Sequence, residues 1–136
     1  MIRNIPRAVV VTLIIYAMAT TAHFVHNAVF LDDYPNLPAW FTPAGVIGVL
    51  LLIHLVGVLG VVAAYFSKRV LGLVLLGTYA VIGFDGLAHY SVASFRTHTL
   101  SMNLTILIEV IAAFLLFVCV LITLFASVKS QRRAPQ

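Results

Sequence analysis

The sequence predicts an all-α integral membrane protein: a four-helix bundle in a single domain, running up-down-up-down, with both termini cytoplasmic. Three observations predict it. Hydrophobic residues make up 62% of the 136 and charged residues 9%, whereas a soluble domain averages roughly 45–50% and 25%. Four apolar stretches, about residues 8–31, 43–66, 70–91 and 100–126, each reach the roughly 20 residues that a helix needs to cross a bilayer. Of eight Lys and Arg, only Arg96 lies on the side opposite Arg3, Arg7, Lys68, Arg69, Lys129, Arg132 and Arg133. That imbalance orients the chain by the positive-inside rule. A soluble domain and a disordered segment are both excluded.

The elements follow in order. The first span, Ala8–Leu31, is led by Arg3 and Arg7. A competing reading takes Thr20-Thr21-Ala22 as a signal cleavage site that would leave His23 as a free N-terminus. The apolar run continues through Phe24, Val25, Ala28, Val29, Phe30 and Leu31, which favours a retained helix. The next segment, Asp32–Phe41, holds two prolines and an acidic pair. It reads as an interfacial loop with Tyr34, Trp40 and Phe41 at headgroup level. Thr42-Pro43 supplies an N-cap and a proline at the first helical position of the second span, Pro43–Phe66. Ser67-Lys68-Arg69 is a tight polar break before the third span, Val70–Ser91. The loop Val92–Thr99 leads to the fourth span, Leu100–Ala126. Glycines in the second and third spans read as packing positions, with Ala44 and Gly48 as a small-xxx-small pair.

Charge and cysteine content exclude several functions. The net charge is +4, but the basic residues flank the spans, so the expected partner is the lipid bilayer and not nucleic acid. A homo-oligomer or a larger membrane complex is also expected, because one copy of four short helices leaves little room for a substrate path. The membrane expected is the inner (plasma) membrane of a bacterium. The one cysteine, Cys119, reads as a small buried hydrophobe. It excludes an intrachain disulfide and zinc sites built on two or more thiolates. No G-x-S-x-G, H-E-x-x-H or C-x-x-C motif occurs.

The chemistry-bearing residues are the ionisable ones inside the spans: His23, His26, His54, Asp85, His89 and Glu109, with His98 in the outer loop. A charge at mid-bilayer costs about 2.5–3.5 kcal/mol even on the lenient scale, so such groups normally face the bundle interior. At about 1.5 Å per helical residue they fall into three layers. His54 and Glu109 lie near the midplane, His23 and Asp85 above them, and His26 and His89 at the outer mouth. Thr12, Tyr16, Thr20, His23 and Asn27 make one polar stripe on the first helix, flanked by His26. Asp85 and His89 are four residues apart. His98, Met102, Thr105 and Glu109 continue at helical spacing if the last helix begins early enough, with Asn103 off that line.

Three readings follow. In the first, His23, His26, Asp85 and His89 ligate a transition metal (Zn, Fe, Mn or Cu), with Asn27, His98 and Glu109 as further ligands or orienting groups. A metal-bound species would then act on a lipid or small hydrophobic substrate, with Asp85 or Glu109 as general base. In the second, a less favoured one, His23 or His26 opposes His89 across a b-type haem. In the third, His54–Glu109 and His23–Asp85 are polar pairs in a non-enzymatic membrane subunit or a proton-coupled carrier. The sequence names no substrate.

Overall fold

The computed structural model describes residues 5–133, with side chains through Lys129. Arg3 and the side chains of Arg132 and Arg133, counted in the charge bias, lie outside it. Among the described residues all regular structure is helical and no strand occurs. The main helices are α1 (Arg7–Val29), α2 (Pro43–Tyr65), α3 (Arg69–Ile82) and α5 (Leu100–Arg133), and α4 (His89–Val92) is a single turn. Four segments are long and apolar enough to cross a membrane: Arg7–Val29, Pro43–Tyr65, Arg69–Val92 and Leu100–Lys129. This is the architecture of a multi-pass membrane protein.

Local chemistry explains most boundaries. The Thr42 hydroxyl accepts the Gly45 N–H at 3.1 Å, and Pro43 opens α2 as expected. Ser67 adopts φ 63°, the left-handed conformation that turns the chain between α2 and α3. α5 overruns the expected end at Ala126 because Ser127 to Arg133 are tolerated in a helix and no Gly or Pro interrupts them.

The third span departs from expectation. In place of one helix to Ser91, α3 stops at Ile82, a 3₁₀ turn occupies Asp85–Ala88, and α4 resumes at His89. Gly83 and Gly86 bracket the change, and glycine is a poor helix residue. Gly83 also lies against Tyr16: a Cβ there would come within 2.5 Å of the Tyr16 hydroxyl oxygen. Tyr16 is fully buried, and its hydroxyl donates to the Tyr79 carbonyl at 3.1 Å.

The four long helices close a ring: α1 on α2, α2 on α3, α3 on α5 and α5 on α1. Tyr16, Leu73, Leu76, Tyr79, Ile106 and Leu116 fill its interior. α2 and α3 meet most tightly at Gly72, where a Cβ would stand 2.7 Å from Ala64 N and Gly60 O. Gly60 and Gly72 thus serve the packing role expected of them. Ala44 and Gly48 do not. Both are exposed, and a Cβ on Gly48 would meet nothing within 4 Å. Spacing identifies a face of a helix, but not whether another helix covers it. Met18, Leu51, Leu52 and Phe125 project outward at 64–71% exposure, as suits a surface that faces hydrocarbon. Cys119 is free and half-buried.

A polar-ended cavity beside a buried carboxyl

The polar stripe on α1 is real for four of its five members. Tyr16, Thr20, His23 and Asn27 are all buried, while Thr12 is partly exposed and bonds its own helix through the Ala8 carbonyl. The stripe faces α5, where Glu109 is 0% exposed. Helical spacing three and four residues apart brings these side chains onto one face, and burial of that face aligns them.

Hydrogen bonds fix the His23 tautomer. Thr105 donates its hydroxyl proton to the Met102 carbonyl at 3.0 Å, so its oxygen accepts the His23 Nδ1–H at 3.4 Å. His23 Nε2 is then the acceptor nitrogen, and Asn27 Nδ2 donates to it at 3.0 Å. The same amide nitrogen lies 3.4 Å from His89 Nε2. Glu109 Oε2 is 3.7 Å from His23 Nε2, too far for a formed hydrogen bond. Neither Glu109 oxygen has a hydrogen-bond partner among the described residues. Gly86 passes directly over the carboxyl: a Cβ on it would be 3.4 Å from Glu109 Oε2.

Neither predicted pair forms. Glu109 faces His23 and not His54. His54 bonds instead to the Tyr79 hydroxyl at 2.8 Å and the Thr21 hydroxyl at 3.0 Å, joining α2 to α3 and α1. The reason is rotational: the face of α2 that carries His54 turns toward Tyr79. Asp85 does not bond His23. It is exposed on the cavity wall described below, next in sequence to the Gly86 that passes over Glu109. Asp85 and His89 do not share a continuous helix face, because the 3₁₀ turn lies between them.

At the loop end of α1, His26 Nδ1 bonds the Tyr34 hydroxyl at 2.9 Å. The Tyr34 ring lies 5.0 Å from His89 and 6.4 Å from His98 between centroids. Tyr34, placed by its sequence context in an interfacial loop with Trp40 and Phe41, is 4% exposed against 76% for Trp40. A loop has no period to reveal this, so no sequence signal marked it. His98 falls before α5 and outside the expected stripe; its Nδ1–H donates to the Ser94 carbonyl at 3.0 Å. Asn103 accepts from the Tyr90 hydroxyl at 2.9 Å and donates to the Phe95 carbonyl at 3.1 Å, tying the second loop to α5.

Burial pushes the Tyr34 phenol from 10.0 up to about 12. The folded chain then keeps this proton after an unfolded chain has released it, so the contribution is present below pH 10 and lost as pH rises toward 12. Tyr34→Phe is expected to flatten that alkaline limb of a melting-temperature-against-pH curve and to cost about 1 kcal/mol at neutral pH from the lost bond to His26. An unchanged alkaline limb would contradict the assignment.

Between α1, α2, the first loop and the broken end of the third span lies a cavity of ≈ 490 Å³. Phe24, Leu31, Trp40, Phe41, Val46 and Val49 form apolar walls. His23, Asn27, Asp85 and His89 form its polar end. Its volume lies within the roughly 300–1,000 Å³ of small-molecule sites, and its lining follows their pattern of apolar walls with a few polar groups. The helix break has a direct consequence here, since the 3₁₀ turn brings Asp85, Gly86 and Ala88 onto the cavity wall.

Of the expected ligand set, His23 and His89 approach with ring centroids 5.4 Å apart. His26 turns to Tyr34. Among the described residues, no three His, Cys, Asp or Glu side chains are grouped to hold a metal ion. No protein-family model, curated protein or solved structure matches the chain.

Proposed function

We propose that this chain is a multi-pass protein of the bacterial plasma membrane that binds a small amphiphile from the outer leaflet, as a binding protein or carrier. In this reading the chain crosses up-down-up-down with both termini cytoplasmic. The observation that carries the function is the cavity: apolar walls suited to a hydrocarbon tail end at His23, Asn27, Asp85 and His89, suited to a polar head. Trp40 and Phe41 stand on its wall in the loop where membrane-interface aromatics are expected. The orientation is supported by the distribution of Lys and Arg, and by a ring in which successive long helices are neighbours joined by short connections.

Two experiments test the two parts. Val49 lines the cavity and is 47% exposed, so Val49→Trp fills the space without entering the packed core. Binding of an environment-sensitive fluorescent amphiphile should weaken by at least about tenfold, or 1.4 kcal/mol, with the melting temperature unchanged. Undiminished binding would remove the cavity as the site. For orientation, single cysteines are placed at Asn36 and Ser67 in a Cys119→Ala background. In intact cells an impermeant maleimide should label the first and spare the second. Labelling at Ser67 alone would invert the orientation.

A further inference from the structure

We propose that the amphiphile taken by this cavity carries a positively charged amine, its ammonium seated between Asp85 and the His23–Asn27–His89 end. This deepens the cavity reading above and rests on it. Two independent observations point to a cationic donor. The first is charge. Asp85 lines the cavity and Glu109 lies directly behind Gly86, while no Lys or Arg is among the lining residues. The cavity lining thus includes a carboxyl group and no Lys or Arg.

The second observation is the inventory of unpaired atoms. Asn27 is 8% exposed and lines the cavity, yet its Oδ1 has no hydrogen-bond partner among the described residues. Its Nδ2 is already committed to His23. An amide oxygen can only accept, and a buried acceptor left unmade is costly. An ammonium brings up to three N–H donors and the compensating charge in one group. A hydroxyl brings one donor and no charge, and a carboxylate would add a further acceptor and repel Asp85.

The test compares three ligands of one chain length: tetradecylamine, tetradecanol and tetradecanoate. Each displaces the fluorescent amphiphile from the full-length protein in nanodiscs at neutral pH, with empty nanodiscs subtracted. The amine should bind about tenfold tighter than the alcohol, as a charge-assisted hydrogen bond implies, and the carboxylate should bind weakest. Asp85→Asn is nearly isosteric at an exposed position, and it should bring the amine-to-alcohol ratio close to one. Glu109→Gln provides a second variant and should lower the same ratio. An amine that binds no better than the alcohol, or a ratio unchanged by both variants, overturns the cationic assignment while leaving the cavity reading intact. Zinc ion displacing the probe from the parent more effectively than the amine would also overturn it, in favour of a metal at the polar end. Displacement by none of the three amphiphiles overturns the cavity reading itself, and this proposal with it.

Discussion

Gly72→Leu is expected to abolish a monodisperse folded protein in mild detergent, and Gly72→Ala to lower stability by about 1–3 kcal/mol. A Cβ at this position would stand 2.7 Å from the Ala64 nitrogen and 2.7 Å from the Gly60 carbonyl oxygen. These are backbone atoms of the facing helix, so no side chain can swing aside to relieve the clash. Relief requires α2 and α3 to separate, which unpacks Leu73 and Leu76, both fully buried. The same substitution elsewhere should behave differently. At Gly77 the nearest atom to a Cβ is Val120 Cγ1 at 3.5 Å, an ordinary contact. Gly77→Ala should therefore be neutral or stabilising by up to about 1 kcal/mol through helix propensity. Thermal unfolding of the three variants decides the matter. A Gly72→Leu protein that melts with the parent would show that the helices are not held at this contact.

Glu109→Leu should separate stability from function. Glu109 is fully buried and neither of its oxygens is hydrogen-bonded, so leucine removes a desolvated group that gains little in return. Unsatisfied buried polar groups cost about 1–3 kcal/mol, and a comparable rise in stability is expected. His23 keeps its bonds to Asn27 and Thr105. Amine binding should fall in the same variant, because the carboxyl behind Gly86 is gone. A gain in stability on loss of binding is the pattern expected where a functional site carries local cost. A marked drop in melting temperature would instead show that Glu109 makes a stabilising bond with His23.

The candidate site was partly legible. The polar stripe of α1 was readable because Tyr16, Thr20, His23 and Asn27 repeat at helical spacing, and that spacing survives folding. Glu109 was recognised as an interior acid for an equally simple reason: a carboxyl within an apolar span has few other places to be. The cavity was not legible. Its wall combines residues of α1, α2, the first loop and the broken third span, and no local pattern links them. The break was hidden as well. Gly83 and Gly86 looked like packing glycines, and only contact with Tyr16 on one side and Glu109 on the other reveals why the helix yields there.

The sequence by itself determined the class of protein, the four apolar segments and the capped start of α2. Those follow from composition, from the length needed to cross hydrocarbon and from the fixed rise of a helix, all properties of single segments. Only the tertiary structure decided which groups meet. His23 faces Glu109, and His54 bonds Tyr79, although the depths alone allowed His54 to pair with Glu109. Tyr34 folds inward from a loop to reach His26. Each of these depends on how one helix is rotated and how closely it approaches its neighbour. That is set by small-residue contacts such as Gly72 on Ala64 and Gly83 on Tyr16, which belong to pairs of segments and are written in neither one alone.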